Sequence, residues 1–367
     1  MAQAALRQPI VRLFASLALC LIGLSLGPNE ASAQPPFYQG KQIRIVVGFS
    51  PGGGTDLYGR VIAEGLARHV DGRPSVVVQN VPGAASVVAM NGYANKTPRD
   101  GTTLLVGSGQ LLMRIVLGLD GARASIADFR ALVATPMGRI TYASPAAGIA
   151  AAADILRPRE PLVLGVPEVI STIDAVLGLT VLQAQFRAVM GYPGKSDVRL
   201  ALLRNEVNVD SQTTPIFTQS VRALVKDGKA VPLFAQGLID GDRLVRDPAA
   251  PDIPSVAEVF RAVHGADPAG PPWEAYQAVV RAIGNGGKIL LIHADAPRTA
   301  RDALADAIAA MIADAEFLKT AESALEGYGF VTGEKLDAEI AAVGRMDRAS
   351  VAWLQQLLSR DFRMKFH

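Results

Sequence analysis

The stretch Ile43-Arg44-Ile45-Val46-Val47-Gly48-Phe49-Ser50-Pro51-Gly52-Gly53-Gly54-Thr55-Asp56 constrains the fold more than any other part of the chain. It passes from a β-type apolar run through bare backbone into the spacing Leu57, Val61, Leu66 and Val70, which predicts strand, loop and helix. Glycines let main chain approach a ligand, and the free amides and positive dipole end of the next helix favour an anion. The same alternation continues. Strands are expected at Ser75 to Gln79, Thr103 to Val106, Arg130 to Pro136, Pro161 to Val166, Val207 to Asp210, Val231 to Gln236 and Lys288 to His293. Helices are expected between them, including a short Ala-rich one at about Gly148 to Leu156, one over Ser171 to Ala184, one over Asp197 to Arg204, and four beyond Pro297. This is the pattern of an α/β architecture with largely parallel sheets.

The first residues read as a targeting segment. Arg7 and Arg12 precede the apolar run Leu13 to Leu26, and Ala31-Ser32-Ala33 supplies a small-residue cleavage site, so residues 1 to 33 are read as a secretory signal. The run is shorter than the roughly 18 to 20 residues of a spanning helix. The single cysteine, Cys20, falls inside that segment, and the bulky Leu19 before it does not suit lipidation. A mature chain without thiols excludes disulfides, thiolate catalysis and cysteine-ligated metals, and it fits a bacterial periplasm. About 330 residues then remain, enough for two domains.

Charge and motifs exclude several functions. The formal net charge is only +2, and no basic run with interleaved aromatics suggests nucleic acid. His69, His264, His293 and His367 form no pair at metal-ligand spacing, and no Gly-x-Ser-x-Gly elbow is present. The triple glycine is followed by no Gly-Lys-Ser/Thr and lacks dinucleotide spacing. No cofactor and no catalytic residue are expected, and Trp273 and Trp353 are read as core.

Four segments at characteristic spacing carry a family resemblance: Tyr38-Gln39-Gly40-Lys41-Gln42-Ile43-Arg44, the loop Gly48 to Asp56, Gln79-Asn80-Val81-Pro82-Gly83-Ala84, and Asp100-Gly101-Thr102-Thr103-Leu104-Leu105. Together they resemble the solute-binding components of tripartite tricarboxylate transporters, the Bug family. Weaker similarity runs through Asp128 to Leu132, Gly191 to Gly194, Val207 to Asp210 and Asp252 to Glu258. The resemblance implies a type II periplasmic binding fold, with two α/β domains joined by two crossing strands and a ligand cleft between them. Crossings near Arg139 and Val231 would make residues 34–138 and 231–367 a discontinuous first domain, with 139–230 inserted as the second. The implied role is a monomeric periplasmic binding protein that delivers a small organic carboxylate to one large and one small membrane subunit. The alternatives are a binding protein serving a sensor kinase, and a secreted enzyme acting on a carboxylate.

The family pattern places ligand contacts at Ser50, Gly52, Gly53, Gly54, Thr55 and Asp56, although the same residues could form a capped tight turn. Asp56 would either turn onto backbone amides at the helix start or meet a ligand ammonium. Ser108 and Gln110 in Gly107-Ser108-Gly109-Gln110 are further expected contacts, as are Ser171 and Thr172 at a helix start, where plain capping is the alternative. Tyr192 is expected over the ligand or in the core. Gln212 stands where the family often has aspartate, which favours plain carboxylates over amino acids. After Pro268 the family pattern gives way to Pro271-Pro272-Trp273-Glu274-Ala275-Tyr276, leaving that wall of the cleft open.

Overall fold

The computed structural model describes residues 35–366 apart from Gly53 and Glu326. The expected secretory segment with Cys20 therefore lies outside the described residues, as does Gly53. From Phe37 onward the chain forms one compact body. The described residues include twelve strands: β1 Gln42–Val47, β2 Ser75–Asn80, β3 Thr103–Ser108, β4 Phe129–Thr135, β5 Arg139–Ala143, β6 Leu162–Val166, β7 Phe186–Met190, β8 Val209–Thr213, β9 Val231–Ala235, β10 Leu238–Asp240, β11 Arg243–Val245 and β12 Lys288–His293.

Two five-stranded sheets share one plan. The first has the order β2-β1-β3-β12-β4 and the second β7-β6-β8-β5-β9. In the first, β1 runs parallel to β2 and β3, and β12 is antiparallel to both β3 and β4. In the second, β6 is parallel to β7 and β8, and β5 is antiparallel to both β8 and β9. Each sheet thus has one reversed strand in the same place. Its first residue lies at the edge where the parallel strands end, which is where open α/β sheets bind ligands.

Amphipathic helices cover the sheets. The Gly54–His69 helix buries Tyr58, Val61, Ile62 and Leu66 into a core shared with Ile43, Ile45, Val47, Leu104 and Val106. The Ile173–Val181 helix is buried nearly all round, as expected of a helix that packs on β-sheet and helix at once. The Pro271–Val280 helix packs against both Ile173–Val181 and Arg348–Phe362, so the segment left open after Pro268 joins the two halves of the core.

The structure differs from the sequence reading at four points. No α-helix forms at 148–156: Gly148 sits in the left-handed region at φ 68°, and only the short turns Pro145–Ala147 and Ala152–Asp154 flank it. Alanine propensity without an apolar face to bury does not sustain a helix. A helix, Gly109–Val116, follows β3 directly where only a closing loop was expected. A hairpin, β10 with β11, occupies part of the expected loop before Pro254. Finally β9, which starts at Val231, pairs with β5 in the second sheet.

The first passage between sheets is residues 136–138, and Gly138 is crowded there. Its amide donates to Tyr328 OH at 3.0 Å, and its carbonyl accepts from Thr214 N at 3.0 Å. The Tyr328 hydroxyl donates to the fully buried Asp247 carboxylate (2.6 Å to Oδ1), to which Thr214 Oγ1 also donates. A Cβ on Gly138 would lie 2.7 Å from Tyr328 OH and closer still to Asp247 Oδ2. Gly138→Ala is therefore expected to destabilise the protein by about 2 kcal/mol or more, read as a lower midpoint in chemical denaturation.

Candidate functional site

The glycine loop is built to stay open. Ser50, Gly52 and Gly54 are exposed, and a Cβ added at Gly52 or Gly54 would meet nothing within 4 Å. Gly52 adopts φ 87°, which a side chain would strain. Asp56, 3% exposed, closes the loop from behind. Its Oδ2 accepts from Gly52 N (2.9 Å) and Arg60 Nε (3.0 Å), and its Oδ1 accepts from Arg60 Nη2 (3.1 Å) and Asn80 Nδ2 (2.9 Å). Asn80 Nδ2 also donates to the Phe49 carbonyl at 2.9 Å, tying both ends of the loop to one amide. The Arg60 hydrogen bond, with help from Gly52 and Asn80, holds the Asp56 pKa at about 2. Of the two expected roles, the geometry matches the backbone-directed one, and both carboxylate oxygens are engaged within the protein.

Thr55 introduces a residue the sequence reading missed. Lys288 Nζ donates to Thr55 Oγ1 at 2.7 Å. Lys288 opens β12 and pairs in register with Ser108 on one side and Thr135 on the other, so Ser108 stands beside it. The residue keeps some exposed surface, but its Nζ is deep among protein atoms. Burial, reinforced by Arg139, pulls its pKa down to about 8. Among the described residues Lys288 makes no ion pair. Gln110 is half-buried in the first turn of the helix that follows Ser108.

Arg139 opens β5 as Lys288 opens β12. It is 7% exposed, donates from Nη1 to Ile283 O at 3.3 Å and Gln236 Oε1 at 3.4 Å, and has Nε 3.9 Å from Asp174 Oδ1. Burial lowers its pKa while Asp174 opposes the change. Both reversed strands begin with glycine, cation, isoleucine: Gly138-Arg139-Ile140 and Gly287-Lys288-Ile289. That repeated triplet was the available signal for both cations.

On the second sheet's side, Lys195 donates from Nζ to Thr172 Oγ1 at 3.2 Å. Burial lowers its pKa, opposed by Asp174 and Asp210. Gln212 is buried behind the site. Its Nε2 donates to Lys195 O (2.9 Å) and Asp210 Oδ2 (2.8 Å), so it holds the lysine's backbone in place. Asp210 also accepts from Tyr142 OH at 2.5 Å, and burial raises its pKa. Ser171 Oγ donates to Glu168 O at 2.7 Å, and the Glu168 carboxylate takes the amides of Ile170 and Ser171. Glu168 also pairs with Arg114 at 2.9 Å, linking the helix after β3 to the start of the second sheet's first helix. Tyr192 packs on a core cluster that includes Val198 and Leu202.

The structure thus gathers Thr55, Ser108 and Lys288 with Arg139, Asp174, Thr172 and Lys195, while Gln212 and Asp56 support from behind and Tyr192 packs on the core. No group of three or more histidines, cysteines or carboxylates able to hold a metal occurs among the described residues.

Comparison with known proteins bears on the fold. No family model matches the chain. A UPF0065 protein of Bordetella pertussis is 38% identical over 99 residues, 27% of this chain and 28% of that protein. Protein BugT of the same organism is 40% identical over 103 residues, 28% of this chain and 31% of BugT. The matched stretches therefore span less than a third of either relative. Over the whole body the chain resembles solved structures at low identity. The periplasmic binding protein BugD has TM-score 0.59 at 18% identity, covering 87% of this chain and 97% of BugD. Rpa4515 of R. palustris, solved with adipate, has TM-score 0.61 at 21% identity, covering 88% and 97%. MatC of Rhodopseudomonas palustris, solved with malate, has TM-score 0.58 at 16% identity, covering 86% and 98%. The chain shares the fold of these periplasmic binding proteins. Its fold is the type II periplasmic binding fold, with two α/β domains.

The glycine loop of this chain depends on Asp56. Asp56→Asn is expected to lower the melting temperature by about 3–6 °C through lost charge-assisted hydrogen bonds. Because the folded pKa, about 2, lies below the ordinary 3.8, the stabilisation is complete above pH 3.8 and is lost as pH falls towards 2. Melting curves of both proteins should therefore converge over that range.

Proposed function

We propose that this chain is a periplasmic solute-binding protein that captures a small organic carboxylate in the cleft between its two sheets and delivers it to a tripartite tricarboxylate-type membrane transporter. The observation that carries this reading is Lys288. A buried ammonium needs a counter-charge, and among the described residues this one has a threonine hydroxyl and a second cation, Arg139, beside it. An incoming carboxylate supplies the missing charge. Lys195 adds a third cation. Against these three stand Asp174 and Asp210, and burial pushes Asp210 towards its neutral form.

The surrounding groups suit capture and release. The glycine loop and Ser108 offer donors that do not titrate, and they are held on strand ends and helix starts. The adipate and malate bound to two proteins of similar fold are ligands of the same class. Closure of two domains about the passage at 136–138 would enclose the ligand, and the transporter subunits would read the closed form.

Thermal-shift measurements with mono-, di- and tricarboxylates test the reading, because a ligand that binds only the folded state raises its melting temperature. At least one carboxylate is expected to raise it, whereas a response only to sugars or cations would sink the proposal. Affinity is also expected to depend on pH. A bound anion favours charged Lys288, whose free-state pKa of about 8 lies below the usual 10.5. Affinity should then be flat below pH 8 and fall above it, with uptake of up to one proton per ligand, measurable by calorimetry in buffers of different ionisation enthalpy.

A further inference from the structure

The cleft differs in polarity from one side to the other. At the first sheet's edge the charges are cationic, with Lys288 beside Arg139. At the second sheet's edge stands Asp174, in the first turn of the Ile173–Val181 helix and only 1% exposed. Its Oδ2 accepts from Ser211 Oγ at 3.0 Å. Its Oδ1 accepts no hydrogen bond from the described residues, since Arg139 Nε at 3.9 Å is at ion-pair distance but beyond hydrogen-bond reach. The charged and titratable groups around it come from separate elements: Arg139 from β5, Lys195 from the start of the helix after β7, and Tyr276 from the Pro271–Val280 helix. Lys195 donates to Thr172 and acts on Asp174 only through its charge, and Tyr276 donates to Gln236 O, so neither gives Oδ1 a hydrogen bond.

A buried carboxylate oxygen without a donor is costly, and buried polar atoms are normally paired. An incoming carboxylate alone cannot satisfy it, because that group only accepts. We propose that the ligand is a carboxylate that also carries an O–H or N–H donor, a hydroxy acid or an amino acid, with its carboxylate at Lys288 and its donor on Asp174 Oδ1. Arg139 is at ion-pair distance from Asp174 and acts through its charge on Lys288, so it would favour this orientation of the ligand. The neutral Gln212 pointed towards plain carboxylates, but Asp174 provides an acceptor from a neighbouring element. The proposal rests on the carboxylate reading of the cleft and narrows it.

Calorimetry with matched triads provides the test: propionate, lactate and alanine; succinate, malate and aspartate; glutarate, 2-hydroxyglutarate and glutamate. In whichever triad binds, a donor-bearing member is expected to bind at least about tenfold tighter than the unsubstituted acid, the scale of one hydrogen bond to a charged group. The hydroxy and amino members distinguish the two sources of the donor. Asp174→Ala is expected to bring the three affinities together; should that variant fail to fold, the wild-type ratios decide. An unsubstituted acid that binds as tightly as its substituted partners overturns this proposal and leaves the carboxylate reading standing. Failure of every triad to bind removes the carboxylate reading itself, and this proposal with it.

Discussion

The placement of Lys288 and Arg139 depends on close packing of main chain against main chain where the first sheet ends and the passage to the second begins. Gly109 N donates to Gly286 O at 2.7 Å, and Met137 N donates to Gly284 O at 2.8 Å. A Cβ on Gly109 would fall 2.5 Å from the Ala282 carbonyl carbon, and one on Gly287 would fall 2.6 Å from Thr135 O. These contacts lock the approach to β12 against the end of β3 and the passage that leads into β5. Lys288 and Arg139 are the first residues of those two strands, so the same packing fixes where both cations start.

That geometry produces an electrostatic imbalance. Asp56 and Asp210, which a count of charges would set against the cations, are used elsewhere: Asp56 by Arg60 and the loop amides, Asp210 by Tyr142, Gln212 and the Ser211 amide. Glu168 is occupied by helix-start amides and Arg114. Arg139 stays charged at any physiological pH because of its intrinsic basicity. Lys288 is thereby left in a desolvated position with no ion pair among the described residues, a cost that the proposed anionic ligand would offset on binding. The Arg114 to Glu168 pair joins elements that follow strands of different sheets.

Strand and helix order were legible because apolar periodicity reports burial directly. Leu57 is an informative exception: it fits the helical spacing, yet it is 46% exposed, while Tyr58 one position on is buried. The family segments also pointed to the glycine loop, and Asn80, quoted there only as part of a motif, proves to brace that loop through Asp56 and Phe49. Lys288 and Arg139 were not legible as site residues. Each reads locally as a charged residue before an apolar strand, and only the shared reversal of β12 and β5 puts both at the edge where the parallel strands end. Tyr192 was open between ligand and core, since a loop tyrosine carries no sequence mark of which side it faces; folding packs it on the core.

The sequence alone determined the α/β class, the glycine loop as bare backbone and the absence of a P-loop motif, because these follow from residue type and short-range spacing. Tertiary structure decided which polar groups remain unmatched. Hydrogen-bond satisfaction is set by partners distant in the chain, as with Thr55 and Lys288 or Asp174 and Ser211. A residue's type states what it can donate or accept; only the folded neighbourhood shows whether that capacity is already used.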